Sequence, residues 1–494
     1  MSLNLSALTK HTLEHDPVIM GLTSDSRSVR KGYLFVALSG ARSDGRAYIK
    51  EAIAHGACAV VTDASTARPD RLDDETEINW NEIAWIIDEN PRLFLARAAA
   101  IFYHAQPETI FAVTGTNGKT STVSFVRQIL QKMNIRAVSL GTLGIEGIEV
   151  NNANYASMTT PDPVQLHAQL ADLAAANITH VAMEASSHGL HQYRLDGVKI
   201  FAGAFTNLTH DHLDYHGSME NYRAAKLRLF NNLIAKDGVA VINSDSDDYA
   251  RIQDICHARD LKMITYGRSA SDLIIHNLTA MPHGTKLNAS IMGQAIEFVL
   301  PFVGEFQIYN ILCAVGLVLA RCPKRLQEVI DIIPNLTGIK GRLEFVKGNK
   351  VDSPAVYVDY AHTPDALKNI LTALRPHAGE NGRLIIVFGC GGDRDRTKRE
   401  VMGHIANDLA DIVIVTDDNP RSEDPAEIRA AIIKGVNNPV NISGRRDAII
   451  TAISMAKPKD IIVIAGKGHE QGQIIGDTVE PFDDVTEALN ALNN

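Results

Sequence analysis

Residues 115–120 read Gly-Thr-Asn-Gly-Lys-Thr, a spacing that could hold the phosphates of a nucleotide. An apolar run at 110–113 predicts a strand before them, and a helix is predicted to begin at Lys119. At such a junction the backbone N–H groups and the helix N-terminus face an anion, the lysine adds a positive charge, and the next hydroxyl binds Mg²⁺. The sequence therefore predicts a nucleotide phosphate loop with Thr120 as a magnesium ligand.

This loop departs from the strict phosphate-loop pattern at one position. The pattern has glycine five residues before Gly118, where this chain has Val113, and Gly115 lies further in. The predicted strand and helix on either side still fit the motif. The alternative interpretation is an ordinary turn in which Lys119 is solvated.

Length and composition restrict the class of protein. The chain has 494 residues, so about three domains of ~150 residues each are expected. Its formal net charge of −10 argues against the broad basic face of a nucleic-acid-binding protein. No apolar run approaches the ~20 residues needed to cross a bilayer, and the N-terminus lacks a signal-peptide pattern. We expect neither nucleic-acid binding nor membrane insertion.

The cysteines indicate the redox compartment. They are odd in number, widely spaced and without a Cys-x-x-Cys pair, at Cys58, Cys256, Cys313, Cys322 and Cys390. This usage is typical of a reducing compartment and not of a disulfide framework or a zinc site. We expect a cytoplasmic protein.

The chain divides into three predicted α/β domains, over 1–107, 108–335 and 336–494. Strands are predicted at 33–38, 57–62, 83–87, 137–140, 180–184, 200–206, 238–243, 355–359, 383–388, 411–416 and 460–465. Strands that alternate with helices at this spacing predict mostly parallel sheets. The expected fold class is α/β, with a central P-loop-type domain between a small α/β N-terminal domain and a Rossmann-like C-terminal domain. Ligands of such sheets lie beyond the carboxyl ends of the strands.

Three features of the central block carry chemistry. Glu184 ends a predicted strand, where its carboxylate could bind Mg²⁺ directly or support a ligand. The segment 206–216 contains three histidines and two aspartates within seven residues, which could also be interpreted as a zinc site. Lys226 follows Tyr222 by one helical turn, and from composition alone a solvated lysine is favoured there.

In the third block, each predicted strand ends in a loop rich in glycine and charge. These loops are 360–364, 389–395, 417–421 and 466–470. Loops at the ends of consecutive strands form one ligand-facing rim. The Gly-Cys-Gly-Gly run at 389–392 lacks the spacing of a dinucleotide fingerprint, so that interpretation is weak.

Six motifs in this order resemble the Mur ligases of bacterial cell-wall synthesis. They are GTNGKT at 115–120, EASSHG at 184–189, TNLTHDHLDYHG at 206–217, YRAAK at 222–226, VDYAHTPD at 358–365 and DDNPR at 417–421. The resemblance spans all three blocks. It implies an ATP-dependent ligase that adds meso-2,6-diaminopimelate to UDP-N-acetylmuramoyl-L-alanyl-D-glutamate through an acyl phosphate, acting as a monomer.

The resemblance also implies residue roles. The implied ATP contacts are Gly115, Thr116, Asn117, Gly118, Lys119, Thr120, Ser121, Asn310, Arg342 and Asp359. The implied magnesium ligands are Thr120, Glu184, His212 and Lys226, the last as a CO₂-derived carbamate, and the implied catalytic residues are Lys119, Lys226, Glu184 and His212. Gln307 stands where the family often carries asparagine, and no role is assigned to it.

Two more sets of contacts are implied. Those to the UDP-muramoyl dipeptide are Ser24, Ser26, Ala41, Arg42, Ser43, Thr159, Thr160, Ser186, Gln192 and Arg194. Those to diaminopimelate are Arg394, Asp418, Asn419, Pro420, Arg421, Gly466 and Glu470. From the residues alone, Ser24, Ser26 and the 39–46 loop are more simply turns.

Two alternatives stay open. A folylpolyglutamate-synthase-like enzyme would share the phosphate loop and the lysine, but gives no reason for the DNPR loop or for a uridine-binding first domain. A nucleotide-dependent regulatory protein would use ATP as a conformational signal. The acidic and His-rich strand ends favour chemistry instead.

Overall fold

The computed structural model describes residues 2–40, 44–66, 78, 80–148, 158–281, 283–349 and 353–493. The chain forms two compact units, Met1–Tyr266 with Cys313–Val329, and Gly267–Leu312 with Ile330–Asn494. The division into three domains near residues 107 and 335 stays a prediction.

A small parallel sheet occupies the N-terminal part of the first unit. The elements there are β1 Leu3–Asn4, α1 Leu5–Leu8, β2 Val18–Ile19, β3 Gly21–Thr23, β4 Tyr33–Val36, α2 Ile49–Ala54, β5 Ala57–Thr62, β6 Ala84–Ile87 and α3 Pro91–Tyr103. Strands β3 to β6 pair in parallel in chain order. The Asn90 side chain accepts the Leu93 N–H and Pro91 occupies the first turn, which together start α3. The apolar face of α3 covers the sheet core.

A larger sheet follows in the same unit. Its elements are β7 Thr109–Thr114, α4 Lys119–Lys132, β8 Ala137–Gly141, β9 Gly144–Glu146, α5 Pro163–Ala175, β10 His180–Glu184, α6 Ser187–His191, β11 Ile200–Phe205, α7 Leu213–His216, α8 Met219–Arg228, β12 Ile234–Asn243, α9 Tyr249–Ala258 and β13 Lys262–Gly267. The strand order within this unit is β13-β12-β11-β7-β10-β8-β9, parallel except for β9. All six residues of β7 are buried, as expected for a central strand covered on both faces.

The second unit contains an antiparallel meander and a second parallel sheet. Its elements, with α10 and α11 divided between the units, are β14 Leu273–Met281, β15 Gly284–Ile291, β16 Gln294–Leu300, α10 Glu305–Arg321, α11 Leu326–Ile332, β17 Glu344–Val346, β18 Ala355–Asp359, α12 Pro364–Ala378, β19 Leu384–Phe388, α13 Lys398–Leu409, β20 Ile412–Val415, α14 Pro425–Ile433, β21 Val440–Asn441, α15 Arg445–Met455, β22 Ile461–Ala465, β23 Gly472–Ile475, β24 Thr478–Pro481 and α16 Asp484–Asn493. The order β17-β18-β22-β19-β20-β21 is parallel except for β17.

The predicted α/β class with mostly parallel sheets is confirmed. Strands β5, β10 and β18 have the predicted bounds, and β12 begins at Ile234, four residues before the predicted start. The sequence analysis predicts none of the strands β14 to β16. Their polar residues alternate with apolar ones because one face is exposed, which gives a weaker signal than the apolar runs of buried parallel strands. Among the described residues, no helix has the length and apolar character needed to span a membrane.

Candidate active site

The phosphate loop joins the carboxyl end of β7 to the start of α4. Gly115 has a φ of +147°, and a Cβ there would lie 1.9 Å from Thr206 Oγ1, so the position requires glycine. Gly118 precedes α4 with a φ of +84°, and no side chain caps this end of the helix. Because the first N–H groups of a helix have no partner within it, the N-terminus of α4 can receive an anion.

Side chains that follow β11 and lie on α8 hold the loop in place. Asn207 accepts the N–H of Thr116 with its backbone oxygen and the N–H of Asn117 with Oδ1, both at 2.9 Å. The Thr116 hydroxyl lies 3.1 Å from the hydroxyl of Tyr222, which is 1% exposed. The loop is therefore fixed by contacts with the segment that follows β11 and with α8.

Two lysines share one acceptor on this loop. Lys119 Nζ donates to Gly115 O at 2.9 Å and to Thr116 O at 2.8 Å, and Lys226 Nζ donates to Gly115 O at 2.7 Å. Lys226 is 1% exposed and its Nζ lies 4.4 Å from the centre of the Tyr222 ring, so the interpretation as a solvated lysine is wrong. Burial, assisted by the charge of Lys119, holds the pKa of the Lys226 amine well below its usual value.

Glu184 reaches the same end of the sheet from β10. The register of β10 on β7 pairs Glu184 with Val113, the residue before the last of β7. Its carboxylate is 1% exposed and accepts from Thr120 Oγ1 at 2.9 Å and from the Thr142 N–H at 2.8 Å. The structure thus places the predicted metal ligands Thr120 and Glu184 in direct contact. Ser121, the last predicted loop residue, is buried in the first turn of α4.

Four residues predicted to contact the dipeptide are linked by hydrogen bonds. Thr160 Oγ1 accepts the Ser186 N–H at 3.0 Å, and Arg194 Nη1 donates to Thr160 O at 2.7 Å. Arg194 Nη2 also donates to Gln192 Oε1 at 2.7 Å. Thr159 precedes this group, and its hydroxyl lies 3.1 Å from that of Thr142. The five residues therefore lie together beside the end of β10.

His212 lies at the start of α7 in a left-handed conformation, with a φ of +52°. Its ring centre is 5.0 Å from that of His188 and 6.1 Å from that of Tyr222, the residue that also contacts Lys226. Among the described residues, no group of three or more His, Cys, Asp or Glu side chains is arranged to hold a metal ion. The predicted magnesium set contains only two residues of these types, Glu184 and His212.

The N-terminal sheet carries the residues predicted to contact the uridine diphosphate. Ser24 follows β3, and Ser26 is buried with its hydroxyl donating to Glu51 Oε2 at 3.2 Å. Ala41, Arg42 and Ser43 lie outside the described residues.

In the second unit, Gln307 links Asn310 to Arg342 through hydrogen bonds. The sequence analysis assigned no role to Gln307. Asn310 Nδ2 donates to Gln307 Oε1 at 3.2 Å, and Gln307 Nε2 donates to Arg342 O at 3.4 Å. The Arg342 guanidinium lies 4.9 Å from the centre of the Tyr360 ring. Its Nε is buried and has no hydrogen-bond partner among the described residues, which leaves a donor for a phosphate or another acceptor.

Asp359 ends β18 in the same unit. Its two carboxylate oxygens accept the N–H groups of Leu343 and Ala361, both at 2.8 Å. Burial raises the pKa of this carboxyl group, while the charge of Arg342 and the two backbone hydrogen bonds oppose the rise. The carboxylate is therefore held in one orientation at the strand end.

Arg421 is positioned by the β23–β24 hairpin. It has a φ of +52°, its N–H donates to Ile474 O at 3.1 Å, and its carbonyl accepts from Gly476 N at 2.8 Å. Arg421 Nη1 donates to Gly392 O at 2.8 Å, so the half-buried guanidinium lies against the 389–395 loop. Arg394, on that loop, is exposed.

The other predicted diaminopimelate contacts surround a buried lysine. Lys467 is 0% exposed, and its Nζ donates to Asn419 Oδ1 at 2.9 Å and to Glu470 Oε2 at 3.3 Å. It lies 3.7 Å from Asp418 Oδ1. Gly466 has a φ of +120°, and a Cβ there would lie 3.1 Å from Asp418 Oδ2.

Models of one protein family match most of the chain. They are described as "Mur ligase family, catalytic domain" over residues 18–103, "Mur ligase middle domain" over 113–318 and "Mur ligase, glutamate ligase domain" over 341–468. The chain belongs to the Mur ligase family. The predicted resemblance is confirmed.

Curated relatives of this Mur ligase align along its full length. It is 46% identical over 97% of its chain to UDP-N-acetylmuramoyl-L-alanyl-D-glutamate–2,6-diaminopimelate ligase of Chelativorans sp. strain BNC1, covering 95% of that protein. It is 45% identical to the protein of the same name from Caulobacter vibrioides, with 100% and 99% of the two chains covered.

Solved structures agree on the architecture. A structure of UDP-N-acetylmuramoyl-L-alanyl-D-glutamate–2,6-diaminopimelate ligase matches with a TM-score of 0.71 at 33% identity, covering 100% of this chain and 99% of the other. Mycobacterium tuberculosis folylpolyglutamate synthase matches with a TM-score of 0.60 over 81% of this chain and 94% of the other. That likeness, at 20% identity, shows a shared fold alone.

Sequence reasoning missed three buried residues of this Mur ligase that support its sites. They are Tyr222, Gln307 and Lys467. Tyr222 stands inside the YRAAK motif and Lys467 inside the predicted 466–470 loop, so the positions of these two residues carried a signal. Their burial depends on contacts with segments distant in the chain, and the motifs do not encode that.

Proposed function

We propose that this Mur ligase joins meso-2,6-diaminopimelate to the D-glutamate of UDP-N-acetylmuramoyl-L-alanyl-D-glutamate with hydrolysis of ATP to ADP, in peptidoglycan synthesis. The observation that carries the proposal is full-length similarity to relatives of that name, at 44–47% identity. The strand-end loops that contain Arg421 and Lys467 support diaminopimelate as the amino acid that is added, because these loops carry both positive and negative side chains.

The reaction has two steps. A carboxylate oxygen of the D-glutamate residue attacks the γ-phosphorus of ATP, so an acyl phosphate forms and ADP leaves. The amine of diaminopimelate then attacks the acyl carbon, inorganic phosphate leaves, and the amine loses a proton to give the amide. Two anions approach each other in the first step, so catalysis depends on neutralisation of charge and on positioning.

The phosphate loop supplies that neutralisation. The uncapped N-terminus of α4 faces the phosphates, and Lys119 exchanges its loop carbonyl partners for phosphate oxygens. The N–H groups of residues 118–121 at the start of α4 hold the triphosphate, whereas Thr116 and Asn117 donate their N–H groups to Asn207 and keep the loop in shape. By resemblance to the family, Asn310 and Arg342 are proposed as nucleotide contacts and Asp359 as a ribose contact.

The donor set beside the loop fits Mg²⁺. Thr120 and Glu184, whose oxygen atoms are in contact with each other, would hold Mg²⁺ together with a ring nitrogen of His212, and the ion would neutralise phosphate charge. Lys226 contributes as a carbamate. A neutral amine adds CO₂ and releases one proton, and burial, which lowers the pKa of the Lys226 amine, favours its neutral form. The resulting carbamate is an anion that can bind a cation.

The proposed contacts to the muramoyl dipeptide and to diaminopimelate lie in two separate groups of residues near strand ends. The muramoyl dipeptide is held by the linked residues Thr159, Thr160, Ser186, Gln192 and Arg194. Its uridine diphosphate end is held by Ser24, Ser26 and the 41–43 segment. Diaminopimelate is held by Arg394, Asp418, Asn419, Pro420, Arg421, Gly466 and Glu470.

The test is product formation with the purified protein. ADP release should require both the UDP-muramoyl dipeptide and diaminopimelate, and mass spectrometry should find the tripeptide product. ADP release that needs neither substrate would identify a regulatory ATPase instead. The carbamate is tested separately with ¹³C-bicarbonate, which should give a carbamate carbon resonance in the wild type that Lys226→Arg lacks.

A further inference from the structure

Tyr215 lies on α7, within the segment 206–217, and the proposed function gives it no role. Its side chain is exposed, but its hydroxyl is not free. The hydroxyl accepts from Gln192 Nε2 at 2.8 Å and lies 3.0 Å from His191 Nδ1. Its ring packs against that of His188, with the ring centres 4.1 Å apart. Tyr215 therefore contacts the segment at the end of α6, where two of the proposed dipeptide contacts are located.

The hydrogen bonds around Gln192 fix the orientation of its amide. Oε1 accepts from Arg194 Nε at 3.2 Å and from Arg194 Nη2 at 2.7 Å. Because a guanidinium only donates hydrogen bonds, the atom that faces it must be the amide oxygen. The amide nitrogen therefore points to Tyr215, whose hydroxyl accepts its hydrogen bond. Loss of the hydroxyl would remove that hydrogen bond and let the amide rotate.

Gln192 in turn orients the guanidinium of Arg194. A guanidinium carries five N–H groups, and the hydrogen bonds to Gln192 Oε1 and to Thr160 O use three of them. Arg194 Nη1 also lies 3.8 Å from the Sδ atom of Met158, which is a weak acceptor. The other N–H groups can donate to an oxygen atom of the dipeptide, and their direction depends on where Gln192 holds the guanidinium.

The backbone of this segment is held independently of Tyr215. Arg228, on α8, donates from Nη1 to Leu190 O at 2.7 Å. It also pairs with the carboxylate of Asp196 through Nη1 and Nη2, each at 3.0 Å. Asp196 is buried, so salt and water screen this ion pair less than a surface pair. The segment 190–196 is thus anchored at both ends, and removal of the Tyr215 hydroxyl should change the side-chain contacts and not the backbone.

The geometry points to Tyr215 as a positioning residue for the UDP-muramoyl dipeptide. Its hydroxyl holds the Gln192 amide, and the amide holds the Arg194 guanidinium in the orientation that receives the substrate. This inference rests on the proposed function. Because Tyr215 acts through these two side chains, its loss should weaken binding of the dipeptide and leave the chemical steps unchanged.

The experiment measures the Kd of the UDP-muramoyl dipeptide by calorimetry in the full-length wild type, Tyr215→Phe, Gln192→Leu and the double variant. Tyr215→Phe removes only a hydroxyl, so the Kd should rise roughly 3- to 10-fold, as expected for one hydrogen bond. Gln192→Leu removes the acceptor of a charged donor, so the Kd should rise roughly 10- to 100-fold. In steady-state assays of Tyr215→Phe, kcat and the KM for ATP should stay within about twofold of the wild type.

The matched control is Tyr249→Phe, on α9. The Tyr249 hydroxyl also accepts from a glutamine side chain, that of Gln253, at 3.4 Å, and the residue is half-buried. This variant should bind the dipeptide with the Kd of the wild type.

The double variant separates a positioning role from direct contact with the substrate. If Tyr215 acts through Gln192, adding Tyr215→Phe to Gln192→Leu should raise the Kd by less than about twofold more. Full additivity of the two effects, an unaltered Kd in Tyr215→Phe, an equal loss of affinity for ATP, or failure of that variant to fold would overturn the inference. Failure of the proposed function is distinguishable, because the wild type itself would then not bind the UDP-muramoyl dipeptide.

Discussion

The phosphate loop and the amino-acid rim, which we define as loops 389–395, 417–421 and 466–470, both lie at strand ends and both contact a buried lysine. The two lysines have different hydrogen-bond partners. Lys226 donates to a neutral carbonyl oxygen of Gly115, which it shares with Lys119. Lys467 lies among carboxylates instead. The difference indicates different ligands, because a lysine on loop carbonyl oxygens at a helix N-terminus, such as Lys119, suits an anionic phosphate, whereas a lysine among carboxylates suits a ligand that carries both charges.

Replacement of Lys226 should have the largest effect and tests the phosphate side of this comparison. We expect Lys226→Ala to lose roughly 10³-fold or more in kcat, because the carbamate that would hold Mg²⁺ beside the transferring phosphoryl group is removed. Binding of the UDP-muramoyl dipeptide, measured by calorimetry, should persist. High bicarbonate should not rescue the variant, whereas a short-chain carboxylic acid that fills the space should restore part of the activity.

The control for that variant is Lys236→Ala, at an exposed position of β12. Wild-type turnover of Lys226→Ala would contradict any role of the carbamate.

Lys119→Ala should have the next largest effect. The ammonium group counters phosphoryl charge, so its loss should reduce kcat by roughly 10²- to 10³-fold. The KM for the UDP-muramoyl dipeptide should change little in the same steady-state measurements. Lys132→Ala, at the other end of α4, is the matched control. If Lys119→Ala kept its turnover, the loop would not be the catalytic one.

Arg421→Ala tests the rim. In the proposed function the guanidinium pairs with the distal carboxylate of diaminopimelate, so its loss should cost about 1.5–3 kcal/mol and raise the KM for diaminopimelate roughly 10- to 100-fold. ATP binding should be retained, as followed by nucleotide-dependent thermal shift. Arg446→Ala removes an exposed arginine of the same unit as a control. An unaltered KM for diaminopimelate would remove Arg421 from the site.

The smallest effect is expected for Gln307→Ala. This change removes the link between Asn310 and Arg342 without removing a charge. The loss of hydrogen bonds of this kind costs about 0.5–1.5 kcal/mol each, so the KM for ATP should rise roughly 2- to 10-fold. A rise in the KM for diaminopimelate alone would contradict the assignment of Gln307 to the nucleotide.

The two regions also differ in how far sequence predicts them. The phosphate loop is a run of consecutive residues, so its type and position follow from 109–126 alone, and the strands around it follow from apolar runs. The site is less local. Lys226 reaches the loop from more than a hundred residues away, and composition favoured a solvated lysine there. Only the family resemblance predicted its role.

The sequence predicted the loops of the amino-acid rim but not the hydrogen bonds that connect them. Lys467 is buried because the 417–421 loop, the 466–470 loop and β23 meet around it, and apart from its bond to Glu470 these contacts join segments that are distant in the chain. Gln307 was left out on its residue type, yet the structure places it between two predicted nucleotide contacts. Burial and hydrogen-bond partners of this kind depend on packing between distant segments, which residue spacing does not specify.

The most direct test of the account is a comparison of meso-diaminopimelate with L-lysine as substrates of the wild type, at saturating ATP and UDP-muramoyl dipeptide. The proposed pairing of Arg421 with the distal carboxylate predicts that kcat/KM for lysine is lower by roughly 10²-fold or more. Addition of lysine with the same kcat/KM as diaminopimelate would contradict it.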